Sequence, residues 1–483
     1  MSNRLVTERT QKHFDAIALK LDWWARRNRY YYQDLDRLHQ FLIPAGSKVL
    51  EIGCGTGDLL AKIDPSVGVG IDFSSVVINL AKAKHPQLNF YCLDAEDLQL
   101  ENWTEYPLIA TKFDYIILSE VLGDLTNIQQ VLTNLQQFCH PHTKIAIDFH
   151  NFLWEPILHL AEKIGQRRPQ PPQSWLSMND VLNLLNITGY QSVKIGRRCL
   201  LPKYIPIFSN FVNRYLSPLP IINHFSLTNY IVARKQIDRH KTSDYTVSVI
   251  IPARNEAGNI AAAIERLPQL GKQTEIIFVE GHSQDDTWAK IQTLVGEYQG
   301  DFILKAFQQT GKGKGDAVRL GFDRATGDIL IILDADLTVQ PEELVNFVEA
   351  IVSGRGEFIN GSRLVYPYSQ AAMPWLNTLA NKFFALVFSF LLGQNIKDTL
   401  CGTKVLWRED YLRICANRSY FGEFDPFGDF DLLFGAAKLN LHIVEVPVRY
   451  QPRTYGESNI AHVREGLVLL KMCLYAAQKI KFV

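Results

Sequence analysis

The sequence predicts an α/β protein made of two doubly wound domains, and three observations carry that expectation. Apolar runs such as Tyr115–Leu118, Ile276–Val279 and Ile329–Leu333 are unbroken by polar residues, as strands buried on both faces of a parallel sheet are. Stretches long enough for helices separate them, so strands and helices alternate. Several runs exit directly into glycines or acids, where open α/β sheets hold ligands beyond the carboxyl ends of their strands.

The totals set the frame. A chain of 483 residues has length for two or more separate cores. Hydrophobic residues make up 47% and charged residues 21%, and 50 basic side chains balance 50 acidic ones. That balance gives no argument for a nucleic-acid partner. The seven cysteines are scattered, odd in number and without metal-ligand spacing, which fits reduced thiols in a cytoplasmic compartment. The first residues lack the apolar core of a signal peptide. No run of eighteen apolar residues exists, so no membrane-spanning helix is expected.

In chain order, residues 12–40 read as a polar-aromatic helix. Lys48–Ile52 is a short strand running into Gly53, Gly55 and Gly57, with a helix after them. Glycines let a backbone turn with positive φ and approach a ligand closely. Val67–Asp72 is a second strand ending in an acid, a type that accepts hydrogen bonds from a ribose diol. A third strand near residues 88–93 ends in Asp94, Glu96 and Asp97. The run Phe113–Leu122 is a fourth.

These elements resemble a class I S-adenosylmethionine-dependent methyltransferase, with E-x-G-x-G-x-G at Glu51–Gly57 and acids ending strands two and three. The resemblance implies that Glu51, Gly53, Gly55 and Gly57 hold the methionine moiety, Asp72 the ribose, and Asp94 or Ala95 the adenine. Methyl transfer of this kind asks mainly for alignment of nucleophile and sulfonium. Glu120, His150 and Asn151, at the exits of strands four and five, are candidates for holding or deprotonating an acceptor. Arg167–Gln173 must be a loop, because its prolines forbid helix and ladder alike. Residues 191–200 and 227–233 read as a closing hairpin. Between them, 202–225 is a Pro- and aromatic-rich insert, read first as core filling, with a lid or a membrane contact as alternatives. The polar stretch 235–244 divides a first domain, 1–238, from a second, 245–483.

The second half restarts with a strand ending in Pro252-Ala-Arg-Asn-Glu256. The strand Glu275–Glu280 follows, and then Gly311-Lys-Gly-Lys-Gly315 leads into a helix. A parallel sheet is again expected. Asp334 and Asp336 follow the run Ile329–Leu333 at once. Two hard carboxylates so close suit Mg²⁺ or Mn²⁺ bridging to substrate phosphates.

This half resembles family 2 glycosyltransferases with the GT-A fold, nearest to the polyprenyl-phosphate sugar transferases. The resemblance rests on Pro252–Glu256, Gly311–Gly315, Asp334–Asp336, Gly361–Arg363, Asp398–Gly402, Glu445–Val448 and Arg453–Ser458. It implies a nucleotide-sugar donor, with Pro252, Asn255 and Glu256 lining the nucleotide pocket and Asp334 and Asp336 holding metal and diphosphate. Glu280 stands where the family has an Asp contacting the base, so the choice between UDP and GDP stays open. Lys312 and Lys314 are read first as solvated, with the binding of phosphate as point charges the alternative. A lipid-phosphate acceptor would be gripped by Arg363 and Arg453, with Ser458 as a further donor. Asp429 and Asp431 stand where a hydroxyl acceptor would find its base. Residues 383–392 and 467–477 are apolar with basic neighbours, and read as core helices or as interfacial ones on the inner face of a membrane. The expectation is a bifunctional enzyme, a sugar transferase fused to a methyltransferase.

Overall fold

Val49, Leu50 and Ile52 are wholly buried because β1 (Lys48–Ile52) lies mid-sheet with apolar clusters on both faces. Leu50, Ile52, Ile116 and Leu118 point into one cluster, and Val49 and Ile117 into the other. The alternation along one strand shows why such runs carry no polar face. The computed structural model describes residues 3–98, 111–237, 241–366, 375–418, 429–453, 455 and 462–482. The chain divides into two compact units, Met1–Gln236 with Phe482–Val483, and Ile237–Lys481.

Unit 1 adds β2 (Val67–Asp72), β3 (Asn89–Cys92), β4 (Phe113–Ser119), β5 (Cys139–His150), β6 (Tyr190–Arg198) and β7 (Thr228–Lys235). Their order is β3-β2-β1-β4-β5-β7-β6. β7 runs antiparallel to both β5 and β6, as the closing hairpin predicts, and the other pairs are parallel. The expected helix over 12–40 is instead a series, Asn3–Ile17, Leu21–Arg27 and Arg29–Leu42. One break falls at Asn28, whose backbone and side-chain amides both donate to the Trp24 carbonyl. The insert 202–225 does not fill a core. Its Ile207 and Ile221 are 85% and 77% exposed, whereas its Ser209 and Ser217 are fully buried.

Unit 2 is built on β8 (Thr246–Ala253), β9 (Gln273–Glu280), β10 (Ile303–Gln308), β11 (Ile329–Ile332), β12 (Phe358–Ser362), β13 (Lys404–Trp407) and β14 (Ile443–Pro447). The order is β10-β9-β8-β11-β13-β12-β14. The expected parallel sheet is in fact mixed, because β13 runs antiparallel to β11 and β12. The cause is local. The chain returns along the carboxyl ends of β11 and β12, placing Asp398 against Arg363 and Gly402 against Asp334. It therefore enters β13 from the side on which the other strands end. Pro252 costs no ladder bond toward β11, whose pairing with β8 stops at Ile250. Among the described residues no helix is long and apolar enough to cross a membrane.

Candidate active sites

In unit 1 the strand order reverses around β1, and the chain leaves that strand through glycines. Gly53 and Gly57 both have positive φ, and a Cβ on Gly57 would overlap the Phe90 ring. Only glycine meets both demands. Asp72, at the end of β2, ties the loop down: its carboxylate accepts the N–H of Gly55 at 3.1 Å and of Ser74 at 2.9 Å. An open cavity of about 480 Å³ lies beside it, lined among others by Gly53, Asp72, Phe73, Asp94, Ala95 and Val121.

Four expected cofactor residues thus line this cavity, and three do not. Glu51 is 3% exposed behind the loop, where it accepts a backbone hydrogen bond from Leu60 and its Oε2 has no partner. Burial pushes its pKa well above the ordinary carboxylate value. Gly55 and Gly57 shape the loop. Thr7 and Thr10 of the first helix also line the cavity. The sequence held no signal for them, because a threonine on a polar helix face looks solvated.

A second cavity of about 430 Å³ is lined by Glu120, Phe149, His150, Arg167, Gln173 and Trp175, among others. The proline-rich segment predicted only as a loop therefore supplies one wall. The Tyr31 hydroxyl donates to Glu120 Oε1 at 2.7 Å, and His150 Nε2 lies 3.4 Å from the same oxygen. Asn151, the third candidate, is turned elsewhere: its Nδ2 donates to the carbonyls of His224 and Ser226.

His150 is expected to stay neutral until strongly acidic pH. Burial, opposed by Glu120 and aided by Arg167 and Arg168, lowers its pKa from 6.5 to about 4. Between those values the unfolded chain takes up a proton that the folded chain refuses. The stability contributed by the neutral ring is complete above pH 6.5 and is lost as pH falls toward 4, about 3 kcal/mol in all. A proton NMR titration of the ring checks this, and a midpoint near the ordinary value would overturn it.

In unit 2 three loops converge at the carboxyl ends of β8, β9 and β11. Lys314 Nζ lies 2.6 Å from Asp334 Oδ1, and Arg453 Nη2 lies 2.7 Å from Asp336 Oδ2. Arg453 Nη1 also stands 3.4 Å from Glu256 Oε1. Burial works against the charge on Asp334, but Lys314 outweighs it and holds the carboxyl below its ordinary pKa. Glu256 moves the other way, to about 7, chiefly through burial, with Asp336 and Asp285 adding to it against Asn259 and Arg453. Gly402 lies so close that a Cβ would overlap both the Asp334 carboxylate and Lys314 Nζ.

Asn255 and Glu280 organise the adjoining loop. Asn255 has φ +57°, a conformation Asn tolerates better than most residues. Its N–H donates to Ser283 Oγ at 3.0 Å, and its Oδ1 accepts from Gln284 N at 2.8 Å. Glu280 is 1% exposed and accepts from the Ser283 N–H and from Gln308 Nε2.

Three sequence expectations need correction or limits here. Lys314 is not solvated, because the helix Lys314–Arg324 begins where its side chain meets Asp334; Lys312 is exposed. Arg363 does not offer a free fork: its Nε and Nη2 both donate to Asp398, at 2.7 and 2.8 Å. Asp431 is 8% exposed and accepts from Arg418 Nε at 2.9 Å. Ser458 and the Asp429 side chain lie outside the described residues.

Comparison with known proteins matches residues 248–414 to the Glycosyl transferase family 2 model and residues 50–145 to a Methyltransferase domain model. The chain is 32% identical over 220 residues to a dolichol-phosphate mannosyltransferase of Pyrococcus furiosus, covering 44% of this chain and 59% of that protein. It is 27% identical over 226 residues to an undecaprenyl-phosphate 4-deoxy-4-formamido-L-arabinose transferase of Klebsiella pneumoniae, covering 45% and 63%. It thus spans about three-fifths of the length of these curated relatives. Among solved structures, magnesium protoporphyrin IX methyltransferase from Synechocystis matches at TM-score 0.33 and 16% identity, over 47% of this chain and 99% of that one.

Proposed function

We propose that this chain, which carries a methyltransferase domain followed by a family 2 glycosyltransferase domain, catalyses two transfers in glycan or glycolipid synthesis. Residues 1–238 transfer a methyl group from S-adenosylmethionine. Residues 245–483 transfer a sugar from a UDP- or GDP-sugar to a polyprenyl-phosphate-like acceptor.

For the first activity, the cavity at the glycine loop is the supporting observation. Its donor set fits an adenosine: the Asp72 carboxylate for a diol, Asp94 and the Ala95 backbone for an amino-purine edge, and Phe73 and Val121 for a flat base. A Cβ on Gly55 would meet nothing within 4 Å, so the loop leaves room. S-adenosylmethionine supplies an electrophilic methyl on a sulfonium when bound. The successive residues Glu120 and Val121 line one cavity each, so acceptor and cofactor sites are neighbours. His150, neutral near pH 7, lines the second cavity with Glu120 and helps hold an acceptor there by hydrogen bonding. Asp72→Ala removes a charge-assisted bond and should weaken S-adenosylhomocysteine by about ten- to a hundredfold. Calorimetry tests this, and no binding by the parent protein sinks the reading.

The second activity is carried by the meeting of Asp334, Asp336, Lys314 and Arg453 at one strand end. Two hard carboxylates suit Mg²⁺ or Mn²⁺, which neutralises charge on a leaving diphosphate when bound. Lys314 and Arg453 already balance those carboxylates and can pass their charge to phosphate oxygens. A phosphate acceptor is anionic near neutral pH and needs no base. Asp431, the described candidate for a base, is committed to Arg418, which supports the phosphate reading. So does the polyprenyl-phosphate chemistry in the names of both relatives. The helices Trp375–Leu392 and His462–Ala476 expose Leu379, Phe383, Leu386 and Leu474, a surface suited to peripheral contact with the cytoplasmic face of a membrane.

A further inference from the structure

The insert 202–225 between β6 and β7 is built inside out. Three of its polar side chains serve as inward anchors, although Val212 is buried beside them. Ser209 Oγ accepts the Ile205 N–H at 2.9 Å and donates to the Lys203 carbonyl at 2.8 Å. Asn213 Oδ1 accepts the N–H groups of Leu200 and Leu201 at 2.8 and 2.9 Å. Ser217 and Ser226 share a buried hydroxyl contact at 3.0 Å. The apolar side chains of Ile205, Ile207, Phe208, Phe211, Ile221 and Phe225 are all exposed.

Two of them are displayed by strained backbone. Ile207 has φ 65° and ψ −48°, Ile221 has φ 70° and ψ −55°. Phe208 N–H donates to Pro206 O at 2.7 Å and Ile222 N–H to Pro220 O at 2.9 Å. Each is a γ-turn of positive φ, a rare conformation, and a β-branched residue there is an outlier. Such strain persists only where the surroundings impose it. Here the same Pro-Ile turn occurs twice, and both times the isoleucine ends up among the most exposed apolar residues of the chain.

Ile157 and Leu160 of the helix Glu155–Lys163 are exposed as well. The Trp154 indole N–H, just before that helix, donates to the Phe225 carbonyl at 2.8 Å. So many large apolar side chains exposed together mark a contact surface.

We propose that this face docks unit 1 on an anionic lipid bilayer, with Ile207 and Ile221 entering the acyl region. Two observations favour lipid over protein. The insert contains no Asp or Glu but carries Lys203 and Arg214, both exposed, which anionic headgroups attract. Its serines and Asn213 bond inward, and the exposed cations are tethered at the edge of the insert, Lys203 Nζ to Asn28 Oδ1 and Arg214 Nε to the Phe482 carbonyl. Tyr204 and Tyr215, also exposed, have the mixed character that sits at headgroup depth. Asn151, next to His150 in the chain, donates to the carbonyls of His224 and Ser226 at the end of the insert.

The test uses the full chain and vesicles of phosphatidylcholine, with or without phosphatidylglycerol. The parent protein should bind the anionic vesicles more tightly, with slowed amide hydrogen exchange over 202–225. The double variant Ile207→Ser, Ile221→Ser should bind them about ten- to a hundredfold more weakly. Phe383→Ser with Leu386→Ser, in unit 2, should leave the slowed exchange at 202–225 in place. Unchanged exchange in the insert, or unchanged affinity of the insert variant, would overturn the proposal. So would slowed exchange that follows protein concentration without vesicles, because the occupant would then be a second copy.

Discussion

Asp336→Asn is expected to lower sugar transfer by about a thousandfold while leaving the unfolding midpoint where it was. The side chain stands at the exit of β11, with Thr338 N and Oγ1 on one oxygen and Arg453 on the other. An amide oxygen can keep the Thr338 bonds, so the local turn survives. What goes is the charge that holds Arg453 and, on the proposed reading, a divalent cation. Charge stabilisation of this kind is worth several kcal/mol, and each 1.4 kcal/mol is tenfold in rate. Radiolabelled sugar transfer to a lipid-phosphate acceptor measures it. Turnover within tenfold of the parent protein would remove Asp336 from the machinery, and full activity in excess EDTA would remove the metal.

Asp398→Ala should be strongly destabilising to unit 2. The carboxylate is fully buried and accepts from Arg363 N, Nε and Nη2, from Asn381 Nδ2, and from Leu400 N. Burial alone would raise its pKa, but Arg363 and these bonds hold it at about 2. Removing it strands the Arg363 guanidinium with little water, a loss of about 3–5 kcal/mol. Its contribution is present above the unfolded carboxylate value and fades only as pH falls toward about 2. Thermal unfolding measures the loss. Arg363→Ala should lower stability for the same reason, because it leaves the buried Asp398 carboxylate without its fork.

These contacts show where the sequence stopped being readable. The strands were legible because burial on both faces leaves unbroken apolar runs, and the glycine loop and paired aspartates because they follow such runs at once. Residues that meet across long separations were not. Lys314 looked like a solvated lysine in a Gly-Lys repeat, and nothing near it in sequence announces Asp334. Arg363 and Asp398 both lay in recognised motifs, yet only the return of the chain into β13 brings them together. The insert misled for another reason. Aromatic and Pro-rich composition indicates that apolar surface exists, not which way it faces, and here Ser209, Asn213 and Ser217 decide the facing.

The strand order also bears on how the chain is made. β6 pairs only with β7, and β7 fills the gap between β5 and β6. During synthesis β6 therefore emerges with no partner, and the long edge of β5 waits open until residues 228–235 arrive. In unit 2, β12 likewise reaches the rest of its sheet only through β13. An unpaired edge is a template for the wrong strand, and chains generally fold domain by domain from the N-terminal end as they are synthesised. In both units the antiparallel strand closes the gap late, β7 in unit 1 and β13 in unit 2, so its synthesis determines when the nascent chain stops being open to mispairing there.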